Sequence, residues 1–368
     1  MKTKKMLALG LCLLSLSACG NLEMGISKVD EGEKTESGSI TTGRVDNSVY
    51  QAIMPDGHYE TSAAREAVAS LNSGYNQGNF ENGLLRLSHQ TFSPDKYFFQ
   101  EGQQLDYDTL TSWLARNSDD NNQGLNPADT AQPLILQQIL EHDFLEEDGR
   151  TLGGISLGFA FNSVYYRQDG DSEIATNVSR EEIMANARKS VNAVLTRMRK
   201  TKGLEKIPIV VSLFEQAAKD DIAGGKYIYT AVAKDGATTI DQFDQVNEEY
   251  VSLPIIGGGD NAATRDGVAN KFTSFRNSIQ NFFPNLTGVT ATGYYADDQL
   301  QTLTIKVDSK YYTKTEVTSF TQYIGKQVES IFDGVSGQIE VQILSVEGPQ
   351  AFVSRKAGQK EIISYIFN

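Results

Sequence analysis

The chain has 368 residues, 39% of them apolar, and its 47 acidic side chains outnumber 33 basic ones for a formal charge of −14. That length suffices for about two domains with full cores. An acidic body of this kind is repelled by nucleic acid and by anionic headgroups, which argues against nucleic-acid partners and against a body lying flat on a bilayer.

The first residues carry Lys2, Lys4 and Lys5, residues 6–16 are almost wholly apolar, and the stretch closes with Leu16-Ser17-Ala18-Cys19-Gly20. This is the three-part layout of an export signal. Its apolar core, about a dozen residues, falls short of the ~20 that a membrane-crossing helix needs. A signal peptidase needs small side chains beside the scissile bond, here after Ala18. A lipid-transfer enzyme needs a thiol as nucleophile toward a diacylglyceryl donor, here Cys19. The segment resembles a bacterial lipobox, which implies lipidation of Cys19 and anchorage at the cell membrane, on its extracytoplasmic face. Two acyl chains, at ~0.8 kcal/mol per buried methylene, would make that anchorage stable. The competing reading is a secreted protein cut after Ala18 with a free thiol at Cys19. Cys12 lies within the signal, so no internal disulfide is expected in the mature chain.

Residues 19–48 lack aromatic side chains and are rich in Gly, Ser, Thr, Asp, Glu and Lys, the composition of a flexible linker. Beyond it the pattern predicts a first α+β domain over 49–235, a linker over 236–260 and a second α+β domain over 261–368. In the first domain, helices are predicted from Ser62 to Leu71, around Tyr107 to Arg116 and from Leu134 to Phe144. Gly153 to Tyr166 reads as extended, Ser179 to Arg199 as a helix, and Ile207 to Phe214 and Tyr227 to Val232 as strands. The linker contains an acidic stretch and Gly257-Gly258-Gly259. In the second domain, Val268 to Phe283 is helical. Gly288 to Tyr295 and Leu300 to Val307 form a hairpin through Ala296-Asp297-Asp298-Gln299. Thr313 to Phe332 is helical, and Gln338 to Val346 and Glu361 to Ile366 are strands.

The two strongest helices can be overlaid. Ile183, Ala187, Val191, Val194 and Leu195 have the spacing of Phe320, Ile324, Val328, Ile331 and Phe332, one apolar stripe of a 3.6-residue helix. Both helices open with a capping-box signature, Ser179-Arg180-Glu181-Glu182 and Thr313-Lys314-Thr315-Glu316. The expected fold class is therefore α+β, with two related helix-and-strand units produced by internal duplication.

Few residues offer chemistry. Gly154-Ile155-Ser156-Leu157-Gly158 fits a nucleophile elbow, but His58, His89 and His142 all precede Ser156, whereas the elbow's histidine follows its serine. A buried strand with small residues under packed helices is the simpler reading. No His-Glu-x-x-His or paired-Cys spacing occurs. Asp119, Asn121, Gln123 and Gly124 echo the start of a calcium loop, yet its twelfth position is Thr130 rather than a bidentate Glu. The acid pairs Asp119-Asp120, Glu146-Glu147, Asp220-Asp221 and Asp297-Asp298 lie beside turn residues, whereas glycoside hydrolysis needs two carboxyls facing across a cleft. The tyrosine pairs Tyr165-Tyr166, Tyr294-Tyr295 and Tyr311-Tyr312 recur near strand ends. They read first as sheet-edge packing and second as stacking surfaces for sugars or a partner.

Several segments together resemble one family, the CamS-type sex-pheromone precursor lipoproteins of Gram-positive bacteria. They are Tyr97-Phe98-Phe99-Gln100-Glu101-Gly102-Gln103, Trp113-Leu114-Ala115-Arg116, Gly124-Leu125-Asn126-Pro127, Gly153 through Gly158, Asn162-Ser163-Val164-Tyr165-Tyr166 and Lys202-Gly203-Leu204 before Ile207-Pro208-Ile209. The resemblance implies that the released signal peptide is trimmed within the membrane to a short hydrophobic peptide, sensed by plasmid-bearing cells through a receptor, which triggers conjugation. Here that segment would be Cys12-Leu13-Leu14-Ser15-Leu16-Ser17-Ala18. The expected partners are the membrane, through a diacylglyceryl group on Cys19, lipoprotein-processing enzymes with signal peptidase, and the pheromone receptor. The body is expected to be non-catalytic, with no cofactor and no metal. The alternative is a cell-envelope enzyme or solute-binding lipoprotein acting on peptidoglycan, peptide or sugar.

Overall fold

The computed structural model describes residues 40–67, 71–256, 261–282, 288–311 and 313–367. The export signal and its lipidation site lie outside these residues, as do Gly257-Gly258-Gly259 and Tyr312. No helix among the described residues is long and apolar enough to cross a membrane.

Two strands, β1 (Ile40–Thr41) and β2 (Ile53–Met54), form a short antiparallel ladder. They are followed by α1 (Gly74–Ser88), β3 (Phe98–Glu101), α2 (Tyr107–Leu114), β4 (Leu136–Leu145) and β5 (Leu152–Asn162). A hairpin of β6 (Val164–Asp169) and β7 (Ser172–Asn177) leads into α3 (Arg180–Met198), β8 (Ile209–Gln216), β9 (Lys226–Ala233) and β10 (Asp244–Gln245). The second unit runs β11 (Glu248–Leu253), α4 (Ala262–Arg265), α5 (Val268–Phe282), β12 (Gly288–Ala296), β13 (Gln299–Asp308), α6 (Lys314–Ile331), β14 (Gln338–Ser345), β15 (Gly348–Arg355) and β16 (Ile363–Ile366).

The first sheet has the order β3-β4-β5-β8-β9-β10 and the second β11-β12-β13-β14-β15-β16. Each has five ladders, and in each only the central one is parallel, β5 with β8 and β13 with β14. A parallel pair needs a long crossover, and the two helices with matching apolar stripes, α3 and α6, supply it. Their stripes are buried as the spacing predicts: Ile183, Ala187, Val191, Val194 and Leu195 are fully covered, as are Phe320, Ile324, Val328 and Phe332. Both capping boxes form. The fold is α+β, with one topology used twice. The Asp297-Asp298 turn between β12 and β13 has positive φ at both residues, 49° and 59°, as a two-residue hairpin of type I′ demands.

Several expected elements differ. Leu134 to Phe144 is the strand β4, not a helix. Helices cover both faces of the first sheet, so apolar residues occur on both sides of β4, and a register shift between Leu136 and Gln138 breaks the two-residue period. Of the helix expected over Ser62 to Leu71, the described residues form a short 3-10 turn, Arg65–Ala67, and residues 68–70 lie outside them. The helix of this region, α1, starts at Gly74 behind the N-cap Ser73. Three glycines and three asparagines lower its propensity, and burial of Phe80 and Leu84 against Phe214, Tyr227 and Ala160 holds it in place. Residues 40–48, expected within the flexible linker, include β1, and Arg44 there is paired with Asp95 at 2.8 Å. The stretch 236–260 carries β10 and β11. β15, absent from the expected elements, starts at Gly348-Pro349.

Gly154 and Gly158 show why β5 reads as it does. A Cβ on Gly154 would lie 2.2 Å from the Phe92 ring, and one on Gly158 would lie 2.8 Å from Phe80. Ser156 between them is buried, its hydroxyl 2.7 Å from that of Ser88 on α1. The segment is a strand under a helix, not an elbow. Substitution Gly154→Ala is expected to cost about 1–3 kcal/mol through overpacking against Phe92, read as a lower urea midpoint; an unchanged midpoint would show that the ring moves freely.

Candidate functional site

A cleft of about 570 Å³ lies between α1 and the second sheet. One stripe of α1 makes its wall: Tyr75, Asn79 and Asn82, continued by Arg86, recur at helical spacing, while Phe80 and Leu84 face the first sheet. The helix thus serves both units. The rest of the wall is the loop between β8 and β9, which contributes Ile222 and Ala223. Buried Asn76 fixes that loop, accepting from Ala217 N at 2.8 Å and Gly225 N at 2.7 Å and donating to Ala217 O at 3.1 Å. Asn79 Nδ2 adds bonds to the carbonyls of Ala223 and Gly225.

The floor is the face of the second sheet opposite α5 and α6. Along β12 and β13, Val289, Ala291, Leu303, Ile305 and Val307 point into the core, so period-two alternation sends Thr290, Thr292, Thr302, Thr304 and Lys306 to the cleft. At its closed end the cross-strand pair Tyr250 and Tyr294 stacks at 4.9 Å. Arg86 lies over the Tyr294 ring at 4.4 Å and donates to Glu248 Oε1 at 2.5 Å. The Tyr294 hydroxyl donates to the same oxygen at 3.1 Å. Burial pushes the phenols of Tyr250 and Tyr294 above their ordinary pKa, so both act as neutral hydrogen-bonding groups. The Glu248 side chain is only 3% exposed, and the guanidinium of Arg86 is its counter-charge.

A second cluster lies inside the first unit. Glu141 and Asp143 project from β4 on the same face beneath the 102–105 loop. Glu141 accepts from Gln104 N at 3.1 Å and Leu105 N at 2.8 Å, and Asp143 accepts from Gln103 N at 3.1 Å. A Cβ at Gly102 would collide with Glu141 at 2.5 Å. Burial first, and then the neighbouring carboxylate, raise the Glu141 pKa, and burial raises that of Asp143. On the opposite face, burial pushes His142 down to about 3, and its ring packs edge-on against Phe99.

Cys12, Leu13, Leu14, Ser15, Leu16, Ser17, Ala18 and Cys19 lie outside the described residues. The acid pairs Asp119-Asp120, Glu146-Glu147, Asp220-Asp221 and Asp297-Asp298 all lie in turns or loops, and none lines the cleft. Asn121 of the loop that echoes a calcium site is engaged with Ser112 on α2. Of the tyrosine pairs, Tyr294 belongs to the cleft. Tyr295, its neighbour, is buried in the core of the second unit, because adjacent strand residues point to opposite faces. Tyr165 packs on the first core, and Tyr166 sits beneath Lys219. Sequence reasoning missed the stripe of α1, the Arg86–Glu248 pair and the Glu141–Asp143 pair. The stripe is legible only once α1 is recognised, and the buried acids fall on one face of Leu136–Leu145 only once that segment is recognised as a strand.

The chain matches the family described as the CamS sex pheromone cAM373 precursor over residues 59–361. It is similar to the crystal structure of a sex pheromone precursor from Lactobacillus salivarius subsp. salivarius UCC118, with 32% identity and a TM-score of 0.84 over 90% of this chain and 99% of that one. It is also similar to the C-terminal domain of the sex pheromone staph-cAM373 precursor from Staphylococcus aureus, with 27% identity and a TM-score of 0.70 over 82% and 99% of the two chains. No curated protein matches the chain.

Two substitutions probe these clusters. Arg86→Met leaves the Glu248 carboxylate buried without a counter-charge. The expected loss is on the order of 2–4 kcal/mol, below the fully buried range because Arg86 remains partly solvated, and chemical denaturation measures it. For Glu141 and Asp143 the folded-state pKa is raised, so their stabilising contribution is complete below the ordinary carboxylate range and declines as pH rises through the folded value. Asp143→Asn keeps an acceptor for Gln103 N and removes the repulsion. Its stability relative to the parent is expected to improve from pH 5 to pH 8, as urea midpoints at the two pH values would register; a constant difference would refute the raised carboxyl pKa values.

Proposed function

The chain belongs to the CamS sex pheromone cAM373 precursor family, and from that membership we propose that it is an exported lipoprotein whose signal peptide yields a short secreted pheromone. The observation that carries this reading is Leu16-Ser17-Ala18-Cys19 closing a short apolar core behind Lys2, Lys4 and Lys5. Lipid transfer places a diacylglyceryl group on the Cys19 sulfur, and cleavage after Ala18 frees the signal. Trimming within the membrane leaves a heptapeptide or octapeptide ending at Ala18, which a receptor on plasmid-bearing cells reads as a cue for conjugation. The body stays on the extracytoplasmic face of the cell membrane, held by its lipid.

The body itself is read as non-catalytic. In support, Ser156 is buried in mid-strand against Ser88, the acid pairs lie on turns, and Glu141 with Asp143 sits beneath a loop instead of across a cleft. The rival reading, an envelope enzyme working on peptidoglycan, peptide or sugar, needs convergent carboxylates in an open site.

The test is intact-mass analysis of the membrane fraction from cells expressing the chain or its Cys19→Ala variant, with mass spectrometry of the medium. The expected result is a diacylglyceryl adduct on Cys19 and a released peptide ending at Ala18, both absent from the variant. An unmodified thiol and no such peptide would overturn both the anchor and the pheromone.

A further inference from the structure

The proposed function uses only the first nineteen residues and leaves the cleft between α1 and the second sheet without a role. We propose that this cleft binds an uncharged saccharide chain. Its volume, about 570 Å³, lies within the range of small-ligand sites. Its charge is the first guide to the ligand. Among the described residues lining the open cleft of this −14 chain, Lys306 is the one charged side chain; Arg86 extends the wall but is paired, and Glu340, opposite Thr304 on β14, accepts from the Thr304 hydroxyl at 3.4 Å and from Gln338 at 2.5 Å. The nearest buried acid, Glu248, is engaged by Arg86 and Tyr294. A polyanion would find one ammonium and a polycation only carboxylates that are already engaged, so the walls suit a neutral molecule rich in hydrogen-bonding groups.

The lining chemistry narrows the class. On the floor Thr292 stands opposite Thr304, Tyr294 opposite Thr302, and Thr290 opposite Lys306. The hydroxyls therefore form a grid with about 5 Å between strands and about 7 Å along them. Each hydroxyl both donates and accepts, as does each hydroxyl of a sugar. Tyr75, 46% exposed, stands on the wall with Lys306 Nζ 5.9 Å from its ring, and such a ring packs against the C–H face of a pyranose while its O–H stays polar. Sugars present both features on opposite sides of one ring.

An extended peptide is the less suitable occupant. Peptides commonly bind sheets by adding a strand to an open edge, whereas β12, β13 and β14 are each paired on both sides. Their backbone groups are committed to the sheet, and only side chains face the cleft.

The test is isothermal titration of the full chain, purified in detergent, with linear hexasaccharides of glucose and of N-acetylglucosamine, and with a neutral hexapeptide as control. The expected result is saturable binding of at least one sugar and none of the peptide. Tyr75→Ala should weaken sugar binding about tenfold, close to 1.4 kcal/mol. The double variant Thr292→Val with Thr302→Val, which preserves shape and strand preference, should weaken it several-fold. Thermal melts check that each variant folds, and the threonine pair keeps the test decisive if Tyr75→Ala does not. Absence of sugar binding, binding untouched by a folded variant, or capture of the peptide in place of sugar would overturn the proposal.

Discussion

A buried carboxylate can be kept charged only where a cation and hydrogen bonds compensate its lost hydration. At the start of β11, Glu248 is nearly sealed from solvent, and Arg86, from α1 of the first unit, meets it at 2.5 Å. The placement of the two units rests on this contact. It positions Tyr294 between the guanidinium above and Tyr250 beside it, and it sets the stripe of α1 against the second sheet. The chain reinforces it, because only two residues separate β10, the edge of the first sheet, from β11, the edge of the second. Acids that read as solvated linker residues are thus consumed in pairing: Glu248 with Arg86, and Glu249 with Arg265 at 3.5 Å.

The two sheets share their topology and differ in what covers them. Helices pack on both faces of the first, with α1 on one side and α2 and α3 on the other. The second has α5 and α6 on one face only. Its strands therefore alternate cleanly between apolar and polar residues, and the polar side becomes the floor of the cleft. Each unit also places a buried arginine where the crossover helix turns into the next strand. Arg199 donates to the carbonyls of Leu204, Ile207, Ala233 and Ala237, and Arg355 to those of Phe332 and Val335. The two arginines come from different elements, one from the end of α3 and one from β15: Arg355 satisfies the carbonyl of Phe332, the C-cap of α6, whereas Arg199 satisfies carbonyls of the loop after α3, of the end of β9 and of Ala237 beyond it.

The chain belongs to the CamS family, and its body consists of two sheets of one topology with a hydroxyl-rich cleft between α1 and the second sheet. The anchor and peptide proposed above draw on Ala18 and Cys19, which lie outside the described residues, whereas the cleft is built by residues from 75 to 342.

Both crossover helices with their capping boxes, the Asp297-Asp298 hairpin and the α+β class were legible in the sequence. Each depends on local spacing: helical period, capping geometry or turn chemistry acts within a few residues. The strand identity of β4, the position of α1, the structured stretch over β10 and β11 and the cleft were not legible. β4 is buried on both faces because distant helices cover both. α1 is held by Phe214 and Tyr227, well over a hundred residues away in the chain, rather than by its own Gly- and Asn-rich composition. The Arg86–Glu248 pair joins side chains 162 residues apart. Local preference set the periodic elements, and burial and charge pairing between remote segments decided how they meet, because both depend on neighbours that only the folded chain brings together.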